Sequence, residues 1–275
     1  MLGISRQKYY RSHWSTAKKQ EMSSKVVNLV SEVRELMPRI GTRKLHHLLH
    51  EPLKELGIGR DKLFLIMKSN NLDIKPKRSY HITTNSHHHF KKHRNLIANL
   101  AIVRPEQAWA SDITYLGTKK KTLYLSLITD LYSKNIVGYD LSDNLKADGP
   151  IRAFKMAVKG RKYLSEDLIH HSDRGIQYCC DEYQAQMARN HIQVSMTESY
   201  DPYSNAVAER VNGILKGEFL LDKYDVDYLT MHKLVKDSIQ IYNSKRPHCS
   251  CNMLTPEQMH EQSVVKIKTY KKTGK

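Results

Sequence analysis

The segment AWASDITYL, residues 108–116, decides the fold that we expect for this chain. It is rich in aromatic and β-branched residues, which favour a buried β-strand. It nevertheless carries an ionisable residue, Asp112, in its middle, and burying a lone carboxylate is costly unless something pairs with it. We therefore expect a divalent metal ion as the partner, shared with two later acids, Asp173 and Glu209.

The segments that follow this strand predict a mixed α/β domain over residues 105–265. Residues 122–131 and 136–141 are expected to continue the strand as an antiparallel meander. The remaining predicted elements are a helix at 147–160, a strand at 168–171, a helix at 181–189, a strand at 192–195 and helices at 204–221 and 231–244. This order is typical of a mixed sheet flanked by helices.

Residues 1–73 predict a separate, basic, all-α domain. One helix is expected to end at Pro38, a second to begin with Thr42 as its cap, and a third to follow Gly59. Three short helices with a glycine turn before a basic third helix suit a helix-turn-helix domain that binds DNA. A small helical bundle without a DNA role gives the same pattern. The basic residues that we expect to contact DNA here are Arg43, Lys44, Arg60 and Lys62.

The positive charge is concentrated in the N-terminal third. Residues 1–104 hold 21 Lys and Arg against 7 Asp and Glu, whereas the whole chain has a net charge of +17. Such an excess indicates a polyanionic partner, most plausibly nucleic acid, although a solvated lysine-rich surface is the alternative. Residues 74–104 are expected to be a basic, histidine-rich linker, and residues 266–275 a basic tail.

The composition also argues against several classes of protein. With 40% hydrophobic residues in 275, the chain can form a core, yet no apolar run approaches the roughly 20 residues of a membrane span. Residues 1–10 are polar and basic, unlike a secretory signal. We therefore expect a cytoplasmic, nucleoid-associated protein with no membrane partner. No G-x-x-x-x-G-K-[ST] loop occurs, so no nucleotide cofactor is expected.

The three acids lie where a metal site would need them. Asp112 is on the first strand, Asp173 follows the fourth predicted strand beside a glycine turn, and Glu209 is on the helix at 204–221. Each alone could be a turn residue, a cap or a solvated helix residue, but three in this order favour a common role. Carboxylates without a cysteine or histidine ligand set suit a hard cation such as Mg²⁺ or Mn²⁺.

Other candidate ligands have ordinary interpretations. Asp130 precedes a hairpin turn, where capping is the expected role of an acid. The four cysteines lack the C-x2-C spacing of structural zinc sites, and we expect them to be reduced. They are Cys179, Cys180, Cys249 and Cys251.

Several motifs carry a resemblance to a known family. They are IGTRKL at 40–45, WASDITY at 109–115, HSDRG at 171–175, NAVAERVNG at 205–213 with Lys216, Tyr242-Asn243, RPH at 246–248 and Thr255-Pro256. Sixty residues separate the first two acids and thirty-five the second pair. The sequence thus resembles DD(35)E polynucleotidyl transferases of the retroviral-integrase type, and more closely the OrfB subunit of transposases of the bacterial insertion sequence 3 family. It departs from relatives at 199–202, where they often have a glycine before the aspartate.

The resemblance implies an RNase H-like fold and a transposase or integrase that cleaves and joins DNA strands at insertion-sequence ends. It implies two Mg²⁺ or Mn²⁺ ions, with Asp112 bridging both and the other two acids holding one each. It further implies a homo-oligomer on DNA and an upstream OrfA product or fusion. The residues then expected to contact the DNA end are Lys216, Asn205, Asn212 and Arg174. An RNase H-like nuclease and a catalytically idle DNA-binding regulator are the alternatives.

Overall fold

The computed structural model divides the chain into two compact units, between Lys77 and Arg78. It describes residues 6–74, 90, 92–118, 121–198 and 206–268. Our predictions for Asn205, for the loop at 199–202, and for parts of the linker and tail lie outside the described residues.

Four helices form the first unit, and a break divides the second predicted helix in two. The helices are α1 (Arg6–Leu36), α2 (Thr42–Leu48), α3 (His50–Glu55) and α4 (Arg60–Ser69). The break follows from Pro52, whose nitrogen cannot donate a hydrogen bond to Leu48 four residues earlier. The cap of α2 was predicted one residue too late, because the extended residue before the helix is Gly41. A small core of buried side chains joins the helices, including Val26, Val30, Leu45, Leu53, Leu63 and Met67.

A five-stranded sheet forms the centre of the second unit. Its strands are β1 (Ala108–Thr118), β2 (Lys121–Asp130), β3 (Ile136–Ser142), β4 (Ile169–Ser172) and β5 (Gln193–Met196). Their spatial order is β3-β2-β1-β4-β5. Strands β1, β2 and β3 pair antiparallel, whereas β4 pairs parallel with both β1 and β5. The predicted meander is therefore confirmed, and β1 lies at the centre of the sheet.

Helices follow and flank the strands, as the mixed α/β prediction requires. They are α5 (Asp148–Lys159), α6 (Ile176–Cys179), α7 (Asp181–Arg189), α8 (Ala206–Gly217), α9 (Tyr228–Ser244) and α10 (Pro256–His260). The sequence prediction missed α6 and α10, which are too short for an apolar period to show. The start of α10 is nevertheless encoded locally, because Thr255 and Gln258 form a capping box and Pro256 occupies the first turn.

The main core of this unit lies between β1, α5 and α7, where Trp109, Phe154, Tyr183 and Met187 are buried together. Helix α5 approaches the sheet so closely that a Cβ atom at Gly138 would lie 2.2 Å from the carbonyl oxygen of Ala153. Only glycine permits this approach. None of the described helices is long and apolar enough to cross a membrane.

A buried cluster of charges ties α10 to the sheet. The Glu106 carboxylate accepts hydrogen bonds from the backbone N–H groups of Lys162 and Tyr163, at 2.8 and 3.1 Å. It also lies 3.3 Å from the Arg161 guanidinium and 3.5 Å from His260 Nε2. Burial lowers the pKa of His260, but the carboxylates of Asp130 and Glu106 raise it to about 9.

Asp130 is a capping residue of the β2–β3 turn, as predicted. Its Oδ1 accepts hydrogen bonds from the backbone N–H groups of Tyr132 and Ser133 and from the Ser133 hydroxyl. Its Oδ2 accepts one from the backbone of Glu106 at 2.7 Å. The four cysteines form no disulfide in the structure, and their reduced state stays a prediction.

Candidate active site

Parallel pairing of β1 with β4 brings Asp112 and Asp173 to the same level of the sheet. Ala110 is paired with His171, and the two acids stand two residues further along their chains. Asp173 lies just beyond the end of β4, where its Oδ1 accepts a hydrogen bond of 3.0 Å from the backbone N–H of Gly175. A Cβ atom at Gly175 would lie 3.0 Å from the same oxygen, so a small residue keeps this turn tight against the carboxylate.

Helix α8 runs along β1 and contacts it through two side chains on one face. Asn212 Nδ2 donates a hydrogen bond to Asp112 Oδ2 at 2.6 Å, and Lys216 Nζ donates one to Thr114 Oγ1 at 3.2 Å. Asp112 and Thr114 share a face of the strand because side chains alternate along it. The helix and the strand therefore meet in a fixed register at the first acid.

Glu209 lies on the same face of α8, three residues before Asn212, and its side chain is exposed. It is near enough for its negative charge to act on Asp112. The described residues contain no group of three or more His, Cys, Asp or Glu side chains placed to hold a metal ion. The sheet thus fixes the positions of Asp112 and Asp173, whereas Glu209 is positioned by α8.

The electrostatics of the site centre on Asp112. Burial raises the pKa of its carboxyl to about 7, and the charges of Asp173 and Glu209 add to the rise, while the hydrogen bond from Asn212 opposes it. Asp112 forms no ion pair with any residue in the described part of the chain. Burial lowers the pKa of Lys216, and the charges of Asp222 and Asp112 partly offset this.

This environment suits a divalent cation. The Asp112 carboxylate is partly buried, and a carboxylate withdrawn from water without a cationic partner is stabilised by a positive ion. The amide oxygen of Asn212 is buried and, within the described part of the chain, has no hydrogen-bond partner. Carboxylate and amide oxygens are the donors that hard cations prefer. The chemistry of these residues therefore fits Mg²⁺ or Mn²⁺.

The other predicted contact residues have different surroundings. Arg174 is partly buried beside Asp173, and Lys216 is partly buried against β1. In the first unit, Arg43, Arg60 and Lys62 have exposed side chains. Lys44 is partly buried, and Leu45 beside it lies in the core.

Sequence reasoning missed a polar cluster next to the acids. His170 Nε2 lies 2.7 Å from the Ser111 hydroxyl and 3.0 Å from the Tyr183 hydroxyl. Burial lowers the pKa of His170 to about 3, so its ring is neutral and serves to join β1 to β4 and α7. The sequence held one signal for this cluster, because Ser111 and His170 are polar residues within the otherwise apolar strands β1 and β4.

Known proteins resemble this chain in both sequence and fold. Two models of an integrase core domain match residues 103–202 and 190–256. The chain is 31% identical over 265 residues to an insertion element IS600 uncharacterized 31 kDa protein of Shigella sonnei, covering 95% of this chain and 96% of that protein. It is 37% identical over 161 residues to the transposase InsF for insertion sequence IS3fB of Escherichia coli (strain K12), covering 58% of this chain and 56% of that protein.

Among solved structures, the chain is similar to one in a simian T-cell lymphotropic virus intasome in complex with PP2A regulatory subunit B56 gamma. The TM-score is 0.52 and the identity 20%, over 86% of this chain and 80% of that one. This likeness concerns the fold, and it confirms the predicted RNase H-like sheet flanked by helices.

Proposed function

Because the chain belongs to the insertion sequence 3 family of transposases, with a DDE integrase-type core, we propose that Asp112, Asp173 and Glu209 are its catalytic carboxylates. The protein is a polynucleotidyl transferase that acts in DNA transposition. The observation that carries the assignment of residues is geometric: the pairing of β1 with β4 sets Asp112 level with Asp173, and the hydrogen bond from Asn212 holds α8, which carries Glu209, against Asp112.

The proposed cofactor is a pair of Mg²⁺ or Mn²⁺ ions. Asp112 would contribute to both ions, and Asp173 and Glu209 would each hold one. When bound, such ions activate a water or a DNA 3′-hydroxyl as the nucleophile and stabilise the leaving 3′-oxygen. Support comes from the oxygen-only donor set and from the partly buried Asp112 carboxylate, which forms no ion pair among the described residues.

The remaining residues of the site would orient the acids and the DNA. The Gly175 N–H fixes one oxygen of Asp173, and the hydroxyl of Thr114 holds the Lys216 ammonium beside the acids. From there Lys216 would contact a phosphate of the transposon end, with Arg174 and Asn205 as further proposed contacts. Phosphate contacts of this kind position DNA without reading its sequence.

The first unit is proposed to bind DNA as a helix-turn-helix-like domain over residues 1–73. The exposed side chains of Arg43, Arg60 and Lys62 support this role, as does the excess of positive charge in residues 1–104. Lys44 is a fourth proposed contact. Replacing Arg60 and Lys62 by Ala should weaken binding of the full chain to duplex DNA and reduce the salt dependence of that binding. Unchanged binding and salt dependence would exclude both residues from the interface.

Partners other than DNA are also proposals. We propose a homo-oligomer on DNA, action at the nucleoid, and an upstream OrfA product or fusion that supplies further DNA binding. Sedimentation of the chain with and without an element end tests the first of these. A single copy per DNA end at all concentrations would contradict it.

The test of the catalytic proposal is a strand-transfer assay. The full chain, alone and fused to its upstream reading frame, is incubated with a labelled element end and Mn²⁺ or Mg²⁺. Asp112→Asn, Asp173→Asn and Glu209→Gln should each abolish metal-dependent joining. Asp237→Asn, which changes an exposed acid of α9, serves as the control and should retain joining.

The outcomes separate the alternatives. Cleavage without joining would replace the transferase assignment by a nuclease. DNA binding without chemistry in either metal would indicate a regulator. Joining that survives in any of the three acid variants would remove that acid from the site.

A further inference from the structure

The side-chain amide of Asn212 is buried, and its nitrogen and oxygen differ in their hydrogen bonding. Its side chain is 4% exposed. Nδ2 donates to Asp112 Oδ2 at 2.6 Å, while Oδ1 is buried and has no hydrogen-bond partner among the residues that the structure describes. A carboxylate that is ionised, as Asp112 would be with a cation bound, only accepts hydrogen bonds, and the amide presents its N–H side to it.

This arrangement is a poor way to stabilise the fold. A buried carbonyl oxygen that lacks a donor has lost its hydrogen bonds to water without replacement, and this loss offsets what the single hydrogen bond contributes. Buried polar groups of this kind call for an explanation other than packing. The 2.6 Å bond to a charged acceptor is short, as expected for a charge-assisted contact, and it engages only one of the two carboxylate oxygens.

We propose that Asn212 is a positioning residue that holds Asp112 in the orientation needed for metal binding. By donating to Oδ2 it fixes the rotation of the carboxylate, which also receives a hydrogen bond from the backbone N–H of Ile113, and so orients the remaining lone pairs of Asp112 for metal binding. This inference rests on the proposed function of Asp112 as a metal ligand. It assigns to Asn212 a role inside the site, in place of the DNA contact that the sequence suggested.

A second asparagine provides a matched control within the same unit. Asn243, on α9, is partly buried, and its amide uses both ends: Oδ1 accepts from the Ile136 N–H and Nδ2 donates to the Ile136 carbonyl, each at 3.0 Å. Asn243 therefore joins α9 to β3, and both of its hydrogen bonds are to the backbone of Ile136. Asn212→Leu and Asn243→Leu remove amides of the same size from the two places.

The experiment measures binding of Mn²⁺ to the full chain, without DNA, by the loss of the free-ion electron paramagnetic resonance signal. Unfolding of each variant is measured in urea in parallel. Asn212→Leu should weaken Mn²⁺ binding by about 10- to 100-fold, the usual effect of removing a partner of a metal ligand. It should leave the unfolding midpoint close to that of the unaltered chain. Asn243→Leu should lower the midpoint, because two backbone groups lose their partners, and leave Mn²⁺ binding unchanged.

Two results would overturn the inference while the metal site stands. One is equal Mn²⁺ affinity in Asn212→Leu and the unaltered chain. The other is equal weakening in both leucine variants, since that would reflect a general loosening of the unit. Asp112→Asn tests the metal site itself. If this variant binds Mn²⁺ as tightly as the unaltered chain, Asp112 is not a metal ligand, and the role proposed for Asn212 is wrong as well.

Discussion

The buried cluster around His260 predicts how the stability of the second unit changes with pH. Two carboxylates, Glu106 and Asp130, face Arg161 and the protonated His260, and the buried Lys134 also acts electrostatically on Asp130. Loss of the histidine proton would remove the cation that lies within 4 Å of both carboxylates. The pKa of His260 is therefore raised from 6.5 to about 9.

The sign and size of the effect follow from this shift. A raised pKa in the folded state contributes stability that is complete below pH 6.5 and is lost as the pH rises through about 9. At about 1.4 kcal/mol per pH unit, the free energy of unfolding should fall by at most about 3 kcal/mol across that window. His260→Gln removes the titrating group, so the variant should be less stable at pH 6 and differ little from the unaltered chain at pH 9.

Tryptophan fluorescence provides the assay. The chain has 2 tryptophans, and Trp109 is fully buried in the second unit. In a Trp14→Phe background, urea unfolding followed by fluorescence reports this unit alone. The control is His232→Gln, which changes an exposed histidine of α9 and should keep the full pH dependence. A stability difference between His260→Gln and the unaltered chain that is the same at pH 6 and pH 9 would refute the argument.

Three further substitutions test the packing of the second unit, with urea unfolding as the common measurement. Gly138→Ala should destabilise by about 1–3 kcal/mol, because its Cβ meets the Ala153 carbonyl; a neutral effect would show that α5 can shift. Arg246→Met should lower the free energy of unfolding by about 3–5 kcal/mol, because it leaves the Glu218 carboxylate without the two hydrogen bonds of 2.8 Å that Arg246 donates. The double variant with Glu218→Leu should recover much of that loss. Thr255→Ala should lower the free energy of unfolding by about 1 kcal/mol, because it removes the cap of α10. An unchanged free energy would mean that Pro256 alone sets the start of the helix.

The first two strands could be predicted from the sequence because their local strand propensity agrees with their place in the sheet. Residues 108–131 are rich in β-branched and aromatic residues, and they form the two longest strands, which pair with each other. The three acids could be selected because each has a recognisable place in such a fold. Pro52 could have predicted the break between α2 and α3, since proline removes a helical hydrogen bond. We nevertheless predicted one helix, because the apolar residues keep a helical spacing on both sides of Pro52.

The partners of the polar residues could not be predicted in the same way. Spacing places Asn212 on the face of Glu209, but it does not say which strand covers that face. The Glu106–His260 contact joins residues that are far apart in the chain, and it depends on where α10 packs. Such pairings are fixed by tertiary structure, whereas helical and strand periods report only on local geometry.

The register between α8 and β1 explains the spacing of two of the sequence motifs together. Four residues of helix, from Asn212 to Lys216, rise about 6 Å, and two residues of strand, from Asp112 to Thr114, advance about 7 Å. The two steps are nearly equal, so a helix parallel to the strand can place one donor over each acceptor. The same face then presents Glu209 one turn before Asn212. An inserted residue in this turn would rotate the face by about 100° and separate Glu209 from Asp112, which makes the spacing itself a requirement of the site.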